Sequence, residues 1–384
     1  MRRAERLEKL PPYLFDELDK AKRKASERGA RVIDLAVGDP DLPTPSAVVE
    51  RMREAVTNPS HHRYPGYLGS LELREALAAW FGRRFGVRLD VDSEVLVLIG
   101  SKEGLGHLPM ALVNPGERVL VPDPGYPVYA NTSILAGAEV GRFELKESNG
   151  FLPDVEELAS LGEARLIFLN YPNNPTGAVA GQEFYMKILD FAAARGLLIC
   201  NDAAYSEITF DGFRSPSILA SPGAKECAIE IHSFSKTFNM TGWRIGFAAG
   251  NPDMLRALAQ VKVNLDSSVF GAIQEAAVTA VSLDYDENVR VYEGRRRLAL
   301  EWLSRLGCRY FEAKGTFYLW VRVPEGFSSV DFAVLLLEKA AVCVAPGSGF
   351  GTYGEGWFRI ALTRPEAEIA EGFRRVASLN LWTS

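Results

Sequence analysis

Short apolar runs recur between stretches of helical spacing from about residue 90 to 250. They are EVLVLIG (94–100), RVLVP (118–122), RLIFLN (165–170), LLICND (197–202), CAIEIHSFS (227–235) and RIGFAAG (244–250). Apolar runs that alternate with helical segments predict βαβ units, and hence a largely parallel sheet covered by helices on both faces. Residues 284–306 predict one long helix, with Asp284 available as a cap and Gly307 at its end. Beyond it, strands are expected at 308–312, 317–323, 342–345 and 357–362, with helices near 329–340 and 366–377. The expected organisation is therefore an arm (1–35) packing with a smaller α+β domain (284–384), and a large α/β domain (36–283).

The 384 residues are 47% hydrophobic and 24% charged, an ordinary balance for a globular chain, which argues against disorder. A formal charge of -6 lacks the basic surplus that a phosphate backbone requires, so nucleic acid is not an expected partner. No apolar run reaches the ~18 residues of a membrane span, and the first residues mix both charge signs; a cytoplasmic protein is expected. Cys200, Cys227, Cys308 and Cys343 are scattered without zinc-ligand spacing, so buried free thiols are expected and no metal.

Ligands of an open parallel sheet bind beyond the carboxyl ends of its strands. Four polar clusters fall there: GSKEG (100–104), NYPNNPTG (170–177), NDAAYSE (201–207) and SFSKTFNMTGWRIG (233–246). In the last, Ser233, Ser235 and Arg244 surround Lys236. Two hydroxyls and a guanidinium suit a phosphate, and a lysine suits a Schiff base. Ser101 opens a helix after Gly100, where backbone N–H groups and the positive helix end attract anions. Asp202 suits a protonated ring nitrogen or a helix cap, and Asn174 suits a phenolate oxygen or a plain turn. Together the clusters form the complement of pyridoxal phosphate.

The series NNPTG, D-x-x-Y, S-x-S-K and an arginine eight residues past the lysine resembles the fold type I pyridoxal-phosphate-dependent transferases, class I/II aminotransferases. The resemblance implies a large domain with a mostly parallel central sheet plus a smaller α+β domain. It implies that Lys236 carries the cofactor, that Asp202 meets the ring nitrogen, and that Asn174 and Tyr205 meet the ring oxygen. Lys236, Asp202 and Tyr205 are then the catalytic set. Ser101, Lys102, Ser233, Ser235 and Arg244 would hold the phosphate, Tyr126 would stack on the ring, and Tyr64 would reach the phosphate of a neighbouring subunit in a homodimer. Gly38, Asn174 and Arg359 would meet the substrate, with Arg359 clamping its carboxylate.

Longer stretches, such as VPDPGYPVY, NDAAYSEITFDG and PGSGFGTYGEGWFRIALT, resemble the members of that class that act on LL-diaminopimelate. The implied reaction moves an α-amino group from that donor to 2-oxoglutarate. Alanine, aspartate, aromatic or succinyl-diaminopimelate specificity is the alternative, with a carbon–sulfur lyase behind it. Tyr13, the Tyr64 loop and Asn264 to Ser268 are candidate partners for the distal end of the donor. The four histidines are expected to be structural. An amine-sensing regulator would need a DNA-binding module, which the first residues do not resemble.

Overall fold

The computed structural model describes residues 2–11 and 14–382, and the side chains of all of these except 14–19. In chain order the strands are β1 (Ile33–Asp34), β2 (Val95–Leu98), β3 (Arg118–Asp123), β4 (Glu139–Glu144), β5 (Leu166–Asn170), β6 (Leu198–Asp202), β7 (Ala228–Ser233), β8 (Gly246–Gly250), β9 (Tyr310–Phe311), β10 (Tyr318–Arg322), β11 (Val342–Cys343), β12 (Ala345–Pro346) and β13 (Trp357–Ala361). The main sheet runs β2-β8-β7-β6-β5-β3-β4. Every pairing from β7 to β4 is parallel, whereas β8 lies antiparallel to both of its neighbours.

Strands β2 and β5 are buried along their whole length, as continuous Val, Leu and Ile runs require when both faces of a sheet are covered. β4 was not anticipated. It is an edge strand, EVGRFE, with a single buried residue, so it carries no apolar signal above its polar exposed face. β8 is made of Gly, Phe and Ala, and its first residue must be small. A Cβ on Gly246 would stand 2.6 Å from the His232 carbonyl oxygen and 2.8 Å from the Ser101 backbone nitrogen.

A second, antiparallel sheet runs β12-β13-β10-β9, and β1 pairs in parallel with β11. The long helix spans Asp286–Arg305, with Asp284 accepting the Asp286 N–H at 2.8 Å, and helices Ser329–Ala340 and Glu366–Ala377 fall where the spacing puts them. From the long helix Arg295 reaches back to Asp41 through two hydrogen bonds, 2.6 and 2.9 Å, and to the Leu362 carbonyl at 2.9 Å. All four cysteines are free; Cys200, Cys308 and Cys343 are buried, but Cys227 is only half-buried because it ends a short surface helix. Among the described residues no helix is long and apolar enough to cross a membrane.

Because β8 alone is reversed, the carboxyl ends of β2, β3, β5, β6 and β7 and the start of β8 share one edge. That edge carries Ser101, Tyr126, Asn174, Asp202, Lys236 and Arg244. The Arg295 pair anchors the segment in front of this edge. Arg295 is the buried member of this bidentate pair while Asp41 keeps access to water, so Arg295→Leu is expected to lower unfolding free energy by roughly 2 kcal/mol in urea titration. A loss below about 1 kcal/mol would assign the anchoring to the apolar packing instead.

Candidate active site

The Ser233 hydroxyl accepts the Ser235 N–H at 3.2 Å and so caps the short helix Phe234–Thr237, which carries Lys236 off the end of β7. The Lys236 amine donates to the Gly38 carbonyl at 3.0 Å and lies 5.8 Å from the Phe317 ring centre. Burial pulls its pKa down to about 8, helped by Arg359 and Arg244 and opposed by Asp39 and Asp202. A lysine lowered in this way holds a larger neutral fraction near neutrality than an exposed one, and the neutral amine is the form that can act as a nucleophile.

At the end of β6 the Asp202 carboxylate is enclosed, and burial pushes its pKa up to about 6. It is oriented from two sides. The Tyr129 hydroxyl donates to one oxygen at 2.7 Å, and the Ala204 N–H donates to the other at 3.1 Å. Tyr129 is itself buried, its ring stacked on Phe168 at 5.1 Å and set edge-on to Tyr126 at 5.8 Å. Burial raises its phenol pKa far above the usual value, so it remains a donor at every working pH. Tyr129 was missed from sequence, although it stands one helical turn past Tyr126.

Arg359, on β13, is 1% exposed. It donates to the Asn174 Oδ1 at 2.7 Å and to the Ala36 carbonyl at 2.6 Å. Its guanidinium carbon lies 3.9 Å from the Tyr318 ring centre and 4.7 Å from that of Phe350. The Asn174 oxygen is thereby engaged by Arg359, and the Asn174 backbone N–H is held by the Asn170 side-chain oxygen at 2.8 Å. Tyr205 shares a 3.0 Å hydrogen bond with Tyr318, and burial raises the Tyr205 phenol pKa far above its usual value. Tyr318 also explains Gly38, since a Cβ there would overlap its hydroxyl. Tyr318 reads in sequence as one more strand aromatic, and nothing in its spacing marks it.

The anion-binding corner forms where helix Ser101–Leu112 starts. Gly100 has φ +77°, and a Cβ on it would overlap the Arg244 guanidinium, so the guanidinium lies directly over the helix entrance. Arg244 is exposed at this corner, with one nitrogen on the Thr241 carbonyl at 2.8 Å. Ser101 is half-buried and Lys102 exposed.

Tyr64 stands 90% exposed. Tyr13 lies outside the described residues. Asn264 is exposed and bonds the Gln260 carbonyl, while Asp266 is engaged by Lys262 at 2.7 Å. The histidines have structural partners: His61 bonds the Ala55 carbonyl at 2.8 Å, His62 the Val56 carbonyl at 3.0 Å and His232 the buried Glu230 at 2.8 Å, while His107 lies 3.2 Å from Glu103.

A family model described as aminotransferase class I and II matches residues 30–376. The chain belongs to that family. It is 49% identical to an LL-diaminopimelate aminotransferase of Aquifex aeolicus over 98% of this chain and 99% of the relative, and 48% identical to one of Moorella thermoacetica over 98% of each. Among solved structures it is similar to substrate-bound BacF of Bacillus subtilis (TM-score 0.96, 39% identity, 100% of this chain and 99% of the other). It is also similar to an aspartate aminotransferase double mutant of Thermus thermophilus (TM-score 0.93, 29% identity, 99% and 100%). Aminotransferases of this family depend on pyridoxal phosphate. The corner at Gly100, the lowered Lys236 and the enclosed Asp202 fit that group's phosphate, carbonyl and ring nitrogen in turn.

Burial of the Asp202 carboxylate disfavours its charged form and so weakens the fold where it ionises. The folded pKa of Asp202, about 6, stands above its reference value of 3.8, so the folded chain binds more protons between the two. Stability therefore falls as pH rises through that window. Cofactor-free Asp202→Asn is expected to be more stable than the parent at pH 8, by up to roughly 3 kcal/mol, with the gap closing as the pH falls from about 6 toward 4. Thermal melts across that range check this; a variant less stable at pH 8 would show that the carboxylate is needed as a cap.

Proposed function

We propose that the chain is an LL-diaminopimelate aminotransferase that passes the α-amino group of its donor to 2-oxoglutarate. The observation that carries this reading is near-half identity, end to end, to enzymes of that name, joined to a site that holds Arg244, Lys236 and the buried Asp202 on one edge of the main sheet and Arg359 from the second sheet. The proposed organisation keeps a large domain (36–283) for the cofactor and a small one (284–384) that brings Arg359, with the arm 1–35 joined to the latter through β1 and β11.

When bound, pyridoxal phosphate supplies an electron sink for the pair left when the donor's α-proton departs. The residues divide the remaining work. Lys236 would hold the cofactor and, with its amine freed by the incoming donor, would be the base that takes the α-proton; in the return half-reaction the same amine would give a proton to the α-carbon of the 2-oxo acid. Asp202, fixed by Tyr129 and Ala204, holds a proton on the ring nitrogen. Asn174 and Tyr205 would donate to the ring oxygen, and Tyr126 would cover the ring. Ser101, Lys102, Ser233, Ser235 and Arg244 take the phosphate. Arg359 receives the substrate α-carboxylate as a planar fork, beside Gly38.

The distal ammonium and carboxylate of the donor need polar partners, because leaving them dry and unpaired costs on the order of 1–3 kcal/mol per group. We place some of those partners on a second subunit. Tyr64, Tyr67, Leu68 and Leu71 expose aromatic and aliphatic surface around the loop assigned to that contact, which supports a homodimer with shared sites. A cytoplasmic setting suits a biosynthetic enzyme with these substrates.

Two measurements test the reading. Borohydride reduction of the holoenzyme followed by peptide mapping is expected to label Lys236; a label on Lys102 overturns the assignment. Values of kcat/KM for LL-diaminopimelate, meso-diaminopimelate, glutamate, aspartate, alanine and phenylalanine are expected to favour the first. Alanine or phenylalanine ahead by tenfold would return the chain to a class I/II aminotransferase of other specificity.

A further inference from the structure

Asp123 ends β3 three residues before Tyr126, is fully buried, and has no part in the chemistry above. One of its carboxylate oxygens accepts the Thr352 N–H and the other the Tyr353 N–H, both at 3.0 Å. The nearest cation, Arg142, stands 3.5 Å away and is 41% exposed. The N–H pair belongs to residues 347–354, the loop that leaves β12, the strand paired with β13 and hence with Arg359. A second tie, from the Gly125 N–H to the Phe350 carbonyl at 2.8 Å, fastens the same loop to the same strand end. Gly351, at φ +134°, sits so close that a Cβ would overlap the Asp123 carboxylate. The loop is thus gripped by the strand end that introduces the cofactor's stacking tyrosine.

What the grip holds is Phe350. Its ring is 2% exposed, stands edge-on to Trp320 at 5.9 Å, and lies 4.7 Å from the Arg359 guanidinium carbon. A cation buried to this degree is located by what touches it, and an aromatic face against a dry guanidinium is a directional contact. We propose that Asp123 is a positioning residue for substrate recognition: by holding loop 347–354 against β3 it keeps Phe350 on Arg359 and so fixes the fork that receives the α-carboxylate.

The inference rests on Arg359 being that fork. The charge matters as well as the contact. Two adjacent backbone N–H groups directed at one dry carboxylate form charge-assisted bonds, whereas an asparagine offers a single acceptor to the two donors. Asp123→Asn should therefore loosen the loop from the strand side. Gly351→Ala leaves the carboxylate intact and loosens the loop from its own side. Two variants of unlike chemistry then converge on one contact.

The test uses both as holoenzymes, with KM and kcat for glutamate and for alanine, and the cofactor dissociation constant followed by absorbance. Every amino donor presents the same α-carboxylate, so KM is expected to rise about tenfold for both donors, more than kcat falls, with cofactor affinity unchanged within about twofold. Unchanged KM in folded variants overturns the proposal. So does a rise confined to one donor, which would place the effect at the distal pocket, or an equal loss of cofactor affinity, which would assign Asp123 to Tyr126 instead. If Asp123→Asn does not fold, Gly351→Ala decides alone. Arg359→Lys, measured in parallel, separates the premise from the latch: unaltered KM there removes the fork and the proposal with it, whereas a raised KM there beside unaltered Asp123 and Gly351 variants overturns the latch only.

Discussion

The buried guanidinium of Arg359 is the constraint on which the site depends. A cation at 1% exposure must be met on every side, and the partners come from widely separated segments: the Ala36 carbonyl, the Asn174 amide oxygen, and the rings of Tyr318 and Phe350. Satisfying one charge therefore fixes the segment before Gly38, the turn after β5, the strand β10 and the loop after β12 against one another. None of these contacts is strong alone. Removing water makes each of them count, because an unpaired polar group in such a place costs more than a paired one contributes.

The same dryness drives the proton chemistry in opposite directions at two neighbouring groups. Burial lowers the Lys236 amine to about 8 and raises the Asp202 carboxyl to about 6, so both lie close to the working range without an exotic partner. Tyr129 and Ala204 then hold Asp202 to one orientation, and a group that is dry, oriented and near its titration point is suited to act on a cation. A dry carboxylate of this kind is costly while it is charged and unpaired, and a cationic partner placed beside it would offset that cost.

Close approach of backbone is the third requirement, and glycine meets it at Gly38 and Gly246 and, with a special backbone conformation as well, at Gly100 and Gly351. Gly100 admits the Arg244 guanidinium over the helix entrance, and Gly351 admits the Asp123 carboxylate under the loop. Both have positive φ, so the same residue type serves the backbone conformation and the space beside it. Ser101 and Phe350 are the neighbours whose placement depends on these two positions.

The sheet and its working edge are legible in the sequence. Apolar runs long enough for strands, punctuated by Gly, Pro, Asn and Ser at their carboxyl ends, locate every interior strand of the main sheet, and the spacing of NNPTG, Asp202, Lys236 and Arg244 carries the likeness to the family. These are local signals, and physics reads them locally. The rest depends on contacts between distant segments. The polar edge strand β4 has no apolar pattern to read. Tyr129, Tyr318, Ala36 and Asp123 act through partners 73 to 323 residues away, and a phenol, a carbonyl or a strand-end aspartate looks the same in sequence whether it faces solvent or a buried charge. Their roles exist only because folding removes the water that would otherwise satisfy them.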